Sequence, residues 1–354
     1  MDHTVSVGTH RIDLPRIVLV GEDVLDSLGE ISKELGFHSA LLLTGHNTFE
    51  VAGRRAIHNL IASGMRVKED FVAESNLESV LTVQQDIRRN GYDFVIGVGG
   101  GRVIDIAKLS SANAGIPFIS VPTTASHDGI AGSLASLKGL DRPYSVKAQS
   151  PIAVIADSKI IQESPYRFTA SGCGDVLSKS TSVRDWKLAH EVTNEYYGTY
   201  AASLASMSSS LVMERAIDIR EQTQEGIRTL LEALVSCGVA MSIAGNSRPC
   251  SGSEHMFSHA LDIVAPKPAL HGEQCGVGSV MMAKLHGLDW EDMRSTLRLL
   301  GAPTTATELG MSESNVIEAL VRAKSIRPER YTILSEVNLT SSTARSLAES
   351  CGVI

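Results

Sequence analysis

Residues 94–108, FVIGVGGGRVIDIAK, constrain the fold of this chain more than any other segment. A short apolar run, typical of a buried strand, leads into three glycines and then into helical spacing. Glycine lets the backbone approach phosphate oxygens and adopt positive φ, and a helix start offers free N–H groups and a positive dipole end. The segment departs from strict GxGxxG, because Arg102 occupies the sixth position counted from Gly97. It predicts a dinucleotide-phosphate site, and the alternative is a tight strand–helix turn that binds nothing.

In the first half of the chain, short apolar runs alternate with segments in which apolar residues recur at helical spacing. Near-continuous apolar strands separated by helices indicate a parallel sheet covered on both faces. We therefore expect an α/β, Rossmann-like domain. The strand candidates are residues 39–44, 65–72, 93–98, 117–121 and 153–157, and the helix candidates are 46–62, 77–90 and 103–114.

Beyond about Pro165 the strand signals end and amphipathic helical patterns take over, over 199–219, 222–244, 277–287 and 312–324. The chain has 354 residues, about twice a usual domain length. We predict an α/β dinucleotide-binding domain over 1–165 and an all-α domain that binds metal and substrate over 166–354.

The composition of the chain limits which classes of partner and which cellular location are expected. The net charge of −8 argues against nucleic acid and anionic membranes as partners. Five cysteines, an odd number with no CxxC pair, indicate reduced thiols. The N-terminus lacks the apolar core of a signal peptide, and the apolar runs, including the one around Val235–Ala244, look too short to span a membrane. We expect a cytoplasmic protein without membrane insertion.

The loop over 121–129, VPTTASHDG, follows a predicted parallel strand, so it should lie at the sheet edge where such folds bind ligands. Its hydroxyls could bond a pyrophosphate or a carboxamide, and the Asp128 carboxylate could hold a substrate hydroxyl. The alternative is an ordinary polar surface loop. Asp105, in the helix after the glycines, could bond a ribose or simply cap that helix.

A metal-ligand set stands in the second half. His255 and His259 are four residues apart in a helical stretch, so they share a face. His271 follows a proline-containing loop that can fold back, and Asp175 lies in what reads as a glycine-flanked turn. Zinc binds imidazole and carboxylate, and a catalytic site needs three protein ligands and one open position. One histidine would then remain for proton transfer or substrate contact; the alternative is a set of satisfied core histidines.

The sequence supports two further predictions, one on the start of the helix that carries His255 and one on the remaining histidines. Ser251 or Ser253 could cap the helix that carries His255. His46 and His127 border the predicted ligand loops and stay open as candidates, whereas the other histidines are interpreted as structural or surface residues.

The motifs together resemble the archaeal glycerol-1-phosphate dehydrogenases, within the iron- and zinc-dependent alcohol dehydrogenase superfamily that also includes glycerol dehydrogenase and dehydroquinate synthase. The resemblance covers almost the whole chain, and the paired motifs SEHMFSHALD and LHGEQCG are its most specific part. It implies the dehydroquinate synthase-like fold. The matching segments are GVGGGRVIDIAK, PTTASHDGIA, TASGCGDVLSK, VRDWKLAH, SRPCSGSEHMFSHALD, LHGEQCGVG, GAPTTATELG and IRPERYTIL.

The resemblance also implies residue roles. Asp175, His255 and His271 would hold one zinc ion per subunit, with Asp175 also touching substrate, while Asp128 and His259 would bind substrate. Relatives often carry Ser at the position of Gly132, so Ser133 is the alternative contact there. The implied NAD(H) or NADP(H) contacts are Gly99, Gly100, Gly101, Arg102, Val103, Ile104, Asp105, Thr123, Thr124, Ala125, Ser126 and Gly132.

The implied reaction is reversible reduction of dihydroxyacetone phosphate to sn-glycerol 1-phosphate, the backbone of archaeal ether phospholipids, with zinc as Lewis acid. The strand end Thr44–Asn47 lacks an acidic residue that would repel a 2′-phosphate, so we expect use of both NADH and NADPH. Arg248 and the helix start before His255 are candidate sites for the substrate phosphate. We expect a homo-oligomer.

Three other functions compete with this one. A polyol dehydrogenase would turn over the unphosphorylated ketone. A lyase like dehydroquinate synthase would eliminate phosphate without net NADH oxidation. A silent nucleotide-binding protein would bind no metal.

Overall fold

The computed structural model describes residues 12–137 and 145–354. The strands are β1 Ile17–Gly21, β2 Ser39–Thr44, β3 Arg66–Phe71, β4 Phe94–Gly99, β5 Phe118–Pro122, β6 Leu134–Ser136, β7 Ser145–Lys147 and β8 Ala153–Asp157. Six of them form a parallel sheet in the order β1-β8-β5-β4-β2-β3, and β6 and β7 form a small antiparallel pair.

Helices cover both faces of this sheet. Successive strand residues point to opposite faces, so Leu41 and Leu43 pack into one apolar core and Leu42 into the other. The helices of this half are α1 Leu28–Glu34, α2 His46–Thr48, α3 Arg54–Ala62, α4 Leu77–Asn90, α5 Gly101–Ala114 and α6 Ser158–Glu163. A π-helical turn, Phe49–Gly53, joins α2 to α3.

From Tyr166 onward every described element is a helix. These helices are α7 Tyr166–Leu177, α8 Lys179–Thr193, α9 Thr199–Glu214, α10 Ala216–Arg220, α11 Gln224–Ala244, α12 Ser253–Val264, α13 His271–Leu285, α14 Trp290–Leu299, α15 Glu313–Ile326, α16 Ile333–Glu336 and α17 Ser341–Ser350.

The long helix α11 connects the two halves of the molecule. It packs on α9 and α7, and also on α6, on β1 and on a short 3-10 turn, Asp128–Ile130. By length and composition alone α11 could cross a membrane, so the expectation that its apolar run is too short was wrong. Most of its apolar window is buried inside the protein, as in the core helix of a folded domain.

The parallel sheet and the helical second half are both confirmed, with local differences. Strand β1 and the β6–β7 pair were not predicted. The helix expected over 199–219 is interrupted at Arg215, and the helix expected from 277 begins at His271. The last strand ends at Asp157 and α7 begins at Tyr166, while the domain division at 165 stays a prediction.

Candidate metal and cofactor site

Three of the four predicted metal-site residues converge, together with a cysteine. One donor atom each of Asp175 on α7, His255 on α12, and His271 and Cys275 on α13 lie within 4.8 Å of one another. Nε2 of His255 is 3.7 Å from Oδ1 of Asp175, and the ring centroids of His255 and His271 are 4.9 Å apart. Two imidazoles and a carboxylate match the ligands that zinc takes in catalytic sites.

Asp175 does not lie in a turn, as its glycine neighbours suggested, but inside helix α7. The glycines allow two helices to approach closely. A Cβ on Gly174 would lie 2.3 Å from the carbonyl oxygen of Gly272, and one on Gly272 would lie 1.8 Å from that of Ser171. Glycine is required there because any side chain would collide with backbone. The close approach brings Asp175 to the first turn of α13, where His271 begins the helix.

His255 is oriented by its neighbour in the chain. Its Nδ1 lies 2.8 Å from Oε1 of Glu254, which is fully buried. Glu254 also accepts from Ser182 Oγ at 2.5 Å and from the Gly252 N–H at 2.7 Å. Burial opposes ionisation of Glu254, but the hydrogen bond from His255 and the others outweigh it and lower its pKa to about 2. A carboxylate on Nδ1 assigns the proton to that nitrogen and leaves Nε2 for a metal.

His271 is held in its neutral form. Burial and the nearby His255 lower the pKa of His271 to about 3. Its Nδ1 is 3.4 Å from Ser258 Oγ, which also receives a hydrogen bond from Gln274 Nε2 at 3.0 Å. Metal binding needs neutral imidazole, so this environment suits a ligand.

The spare histidine, His259, lies beside the cluster. Its ring centroid is 5.9 Å from that of His271, and its Nδ1 is 3.5 Å from Asp262 Oδ2. Nδ1 is buried and forms no short hydrogen bond among the described residues, so the Asp262 carboxylate is the group that faces it.

A residue that the sequence reasoning missed lies next to Asp175. Lys179 Nζ is 2.6 Å from Asp175 Oδ1 and 2.9 Å from Asp128 Oδ2. Burial opposes ionisation of Asp175, but the charge of Lys179 outweighs it and holds the pKa of this carboxyl well below its usual range. The signal was present in GCGDVLSK as an Asp–Lys pair four residues apart, a spacing that brings side chains together on a helix.

The start of α12 is held by a distant carboxylate rather than by Ser251 or Ser253. Gly252 occupies the N-cap position, and no side-chain cap is formed there. The Ser253 N–H donates instead to Asp185 Oδ2 at 2.6 Å, and His286 Nε2 lies 2.9 Å from Asp185 Oδ1. The predicted serine cap is therefore wrong, and Asp185 anchors the helix that carries His255 and His259.

The glycine triplet forms the predicted strand–turn–helix. Gly99 ends β4, and Gly100 precedes α5 without a side-chain cap. The N–H groups of Val103 and Ile104 bond the Gly100 carbonyl, so those of Gly101 and Arg102 remain at the helix start for a ligand. A Cβ on Gly101 would lie 2.0 Å from Nε2 of His127, so glycine is needed for the loop over 123–127 to pack here.

The other predicted cofactor residues are placed as follows. Arg102 is exposed and donates through Nη1 to the Ala73 carbonyl at 2.6 Å, whereas Val103 and Ile104 have buried side chains and can offer only backbone groups. Thr123 is buried, with its Oγ1 unpartnered among the described residues. Thr124, Ala125 and Ser126 continue the same loop, and their cofactor contacts stay predictions.

Asp105 does not cap α5, since Gly100 holds that position. It is buried, and its Oδ1 lies 3.5 Å from Lys108 Nζ. Lys108 in turn donates to the carbonyls of Gly129 and Leu134 at 2.8 and 2.6 Å. The pair therefore fixes the loop that carries Asp128 against the cofactor-side helix.

Gly132 lies where this loop meets α11. A Cβ there would be 2.9 Å from Cε of Met241. On the facing side, a Cβ on Gly238 would be 2.5 Å from the Gly132 nitrogen. Glycine at position 132, where relatives often carry serine, therefore packs closely against Met241 and Gly238 of α11. A cofactor contact by Gly132 or Ser133 stays a prediction.

Arg248 is poorly placed as a phosphate ligand, because its charge is already matched. It is buried and pairs with Glu195 through both Nε and Nη2, and its Nη1 donates to the Tyr331 carbonyl at 2.9 Å. A second arginine, Arg330, donates to the Ser251 carbonyl at 2.6 Å. Arg327, just after α15, lies close enough to His259 for its charge to contribute to lowering the pKa of His259, where burial is the largest cause.

Comparison with known proteins places these features in a family. A family model described as iron-containing alcohol dehydrogenase matches residues 19–165. The chain is 50% identical over 346 residues to a glycerol-1-phosphate dehydrogenase [NAD(P)+] of Thermococcus sibiricus, covering 98% of this chain and 99% of the relative. The same degree of identity, 50% over 344 residues, relates it to the protein of that name from Methanosarcina acetivorans, with 97% and 96% covered.

A solved structure shares the fold along the chain. Glycerol dehydrogenase from Schizosaccharomyces pombe matches with a TM-score of 0.81 at 19% identity, covering 97% of this chain and 90% of that one. At this identity the likeness concerns the fold alone. It confirms the predicted architecture, a parallel α/β half followed by a helical half.

Proposed function

The chain belongs to the family of NAD(P)-dependent glycerol-1-phosphate dehydrogenases, and we propose that it interconverts dihydroxyacetone phosphate and sn-glycerol 1-phosphate. In the reducing direction the C2 carbonyl gains a hydride from NADH or NADPH and a proton at oxygen, and NAD⁺ or NADP⁺ leaves. One observation carries the proposal. The donor atoms of Asp175, His255 and His271 converge within 4.8 Å in a chain half identical to enzymes of that name over nearly its whole length.

We propose one zinc ion per subunit, held by Asp175, His255 and His271. A zinc ion bound there would supply Lewis-acid stabilisation of negative charge on the C2 oxygen. The matching family model carries iron in its description, and a donor set of two imidazoles and a carboxylate accommodates either metal. Metal analysis of protein purified without added metal would decide between the two.

Substrate orientation falls to Asp128 and His259. The Asp128 side chain is 15% exposed, so one carboxylate can face both Lys179 and a substrate hydroxyl. Burial lowers the pKa of His259, so its imidazole is neutral near pH 7 and can accept or donate a proton. The proton added to the C2 oxygen would come from His259 or through a chain of water.

For the cofactor, the N–H groups of Gly101 and Arg102 suit the pyrophosphate. The chain enters this region at the carboxyl ends of β4 and β5, where open parallel sheets bind nucleotides. Beside it, Thr44 Oγ1 pairs with Thr48 Oγ1 at 2.9 Å, and His46 stacks on Phe71. No carboxylate stands among residues 44–47, which supports use of both NADH and NADPH.

The substrate phosphate needs a cation near His259, and Arg327 is our candidate. Helix α15 packs along α12 and ends at Ile326, which delivers Arg327 beside the helix that carries His259. The hydrogen bond from Arg330 to the Ser251 carbonyl holds the following segment against the start of α12. A guanidinium is well suited to bind phosphate through two hydrogen bonds.

The proposed reaction and the composition of the chain also suggest where the enzyme works and how it assembles. We propose that the product supplies the backbone of ether phospholipids, and that the enzyme works in the cytoplasm on small molecules rather than on nucleic acid or within a membrane. All five cysteines are free and buried, as reduced thiols would be. We also propose a homo-oligomer, since Tyr200, Met207 and Leu211 expose apolar surface along α9.

The deciding experiment follows NADH oxidation by zinc-loaded protein with dihydroxyacetone phosphate and, in parallel, with dihydroxyacetone. Turnover of the phosphate alone, giving the sn-1 enantiomer in a chiral assay, is the expected result. Turnover mainly of the free ketone would make the protein a polyol dehydrogenase. Turnover of neither would favour the lyase or the silent protein.

A further inference from the structure

A fully buried lysine without an assigned role lies between the two carboxylates of the site. Lys179 has no exposed surface. Its Nζ is 2.6 Å from Asp175 Oδ1, 2.9 Å from Asp128 Oδ2 and 3.2 Å from the Cys250 carbonyl. The contacts with Asp175 and with the Cys250 carbonyl are hydrogen bonds, and the contact with Asp128 is an ion pair.

Asp128 and Asp175 are also linked directly. The backbone N–H of Asp128 donates to Asp175 Oδ2 at 2.8 Å, while Asp175 Oδ1 faces Lys179. Each Asp175 oxygen thus has a partner that leads to Asp128, one through its backbone and one through its side chain. The result is a closed ring of contacts that fixes the position of Asp128 relative to the metal carboxylate.

Asp128 needs this support because it lies on a short, irregular segment of backbone. It begins a three-residue 3-10 turn after a loop, and its side chain is partly exposed. Without a cation between them, two carboxylates this close would repel each other. Lys179 therefore provides the positive charge that holds the Asp128 side chain in place.

The surroundings show that this position is built for an ammonium. Asp128, Cys237 and Cys250 form a second group whose donor atoms lie within 4.8 Å of one another. Taken alone it would resemble a metal site. Lys179 contacts both Asp128 and the Cys250 backbone, so the negative charge there is already matched by a protein cation.

We propose that Lys179 is a positioning residue, which holds the Asp128 carboxylate at a fixed place relative to Asp175 so that bound substrate is presented to the cofactor in one orientation. This inference rests on the proposed function. A purely structural ion pair is the competing explanation, since buried pairs are common where they only maintain the fold. The two explanations differ in whether the loss of kcat/KM on replacing Lys179 depends on the presence of the Asp128 carboxylate.

A double-mutant cycle with Lys179→Met and Asp128→Asn separates them. For the zinc-loaded enzyme with dihydroxyacetone phosphate, we expect Lys179→Met to lower kcat/KM by at least about tenfold, and by less than about threefold when Asp128 is already Asn. Zinc affinity, measured by chelator competition, should fall by no more than about 100-fold, the upper end of the usual cost of losing a hydrogen bond to a metal ligand. Lys68→Met, which removes an ammonium paired with Asp86 at 2.9 Å outside the site, is the control for losing a paired lysine, and its effect should multiply with that of Asp128→Asn.

Losses that multiply in the Lys179 cycle would overturn the inference, and so would a zinc affinity reduced by more than about a hundredfold. If Lys179→Met fails to fold, Lys179→Arg, which keeps the charge, takes its place in the same cycle. If the parent enzyme does not reduce dihydroxyacetone phosphate, the proposed function fails. If it does and the losses multiply, only the role of Lys179 fails.

Discussion

His255 and Glu254 are neighbours in the chain and partners in the site, with Nδ1 and Oε1 2.8 Å apart. Neighbouring side chains on a helix point about 100° apart, so the contact depends on the first turn of α12, where Glu254 faces Ser182 and Gly252. The pair fixes the imidazole so that Nε2 faces Asp175.

Glu254→Gln should therefore weaken zinc binding. The amide cannot hold the Nδ1 proton as the carboxylate does, and loss of such partners costs about 10- to 100-fold in metal affinity. Chelator competition measures the change. Glu308→Gln, at a carboxylate bonded to Thr304 and away from the site, is the matched control. Equal affinities in the two variants would show that Glu254 does not orient the ligand.

Arg327→Met should reduce kcat/KM for dihydroxyacetone phosphate by about 10- to 100-fold, because a charged hydrogen bond to phosphate is worth about 1.5–3 kcal/mol. Turnover of dihydroxyacetone should change little. Lys324→Met removes an exposed positive charge earlier on α15 and is the control for a general effect of charge on turnover. Parallel losses with both substrates would place the phosphate elsewhere.

The metal-free protein should lose stability in acid through His271. Its folded pKa of about 3 lies below the unfolded value of about 6.5, so the unfolded state binds more protons between these values. Stability from this group is full above about pH 6.5 and falls by up to about 1.4 kcal/mol per pH unit towards pH 3. Urea unfolding from pH 7 to 4 should give a shallower slope for His271→Gln. Identical slopes would contradict the prediction.

Lys108→Met should destabilise the fold, because it leaves the buried Asp105 carboxylate uncompensated. Breaking a buried pair by removing one partner costs about 3–5 kcal/mol. Adding Asp105→Asn should recover part of that loss, since the buried charge is then gone. Denaturant unfolding of the parent, the two single variants and the double variant tests this, and a double variant less stable than Lys108→Met would refute it.

NADH and NADPH should both support turnover. Residues 44–47 offer no carboxylate to repel a 2′-phosphate. The ratio of kcat/KM for the two cofactors, measured at one substrate concentration and ionic strength, is expected to lie within about a hundredfold. A stronger preference for NADH would point to a repelling group outside this strand end.

Much of the fold was readable because it depends on local patterns. Apolar runs such as 39–44 and 94–99 lie within single strands, and the glycines after β4 determine their own turn. The β6–β7 pair escaped notice because each strand has three residues, too few for a periodic signal. Asp175 was misplaced because glycines suggested a turn, although they serve a helix contact.

The sequence alone determined which residue types were available: a strand–glycine–helix unit, two histidines one helical turn apart, and a family whose motifs run along the chain. Those features are local, so side-chain chemistry and backbone period specify them. The resemblance implied that Asp175 acts with histidines 80 and 96 residues further along, and only the tertiary structure shows their donor atoms together. The tertiary structure also decided that Glu254 orients one of them and that Lys179 joins Asp175 to Asp128. Such convergence depends on how closely α7 packs against α13, where glycine meets glycine, and no local pattern encodes a distance between separate helices.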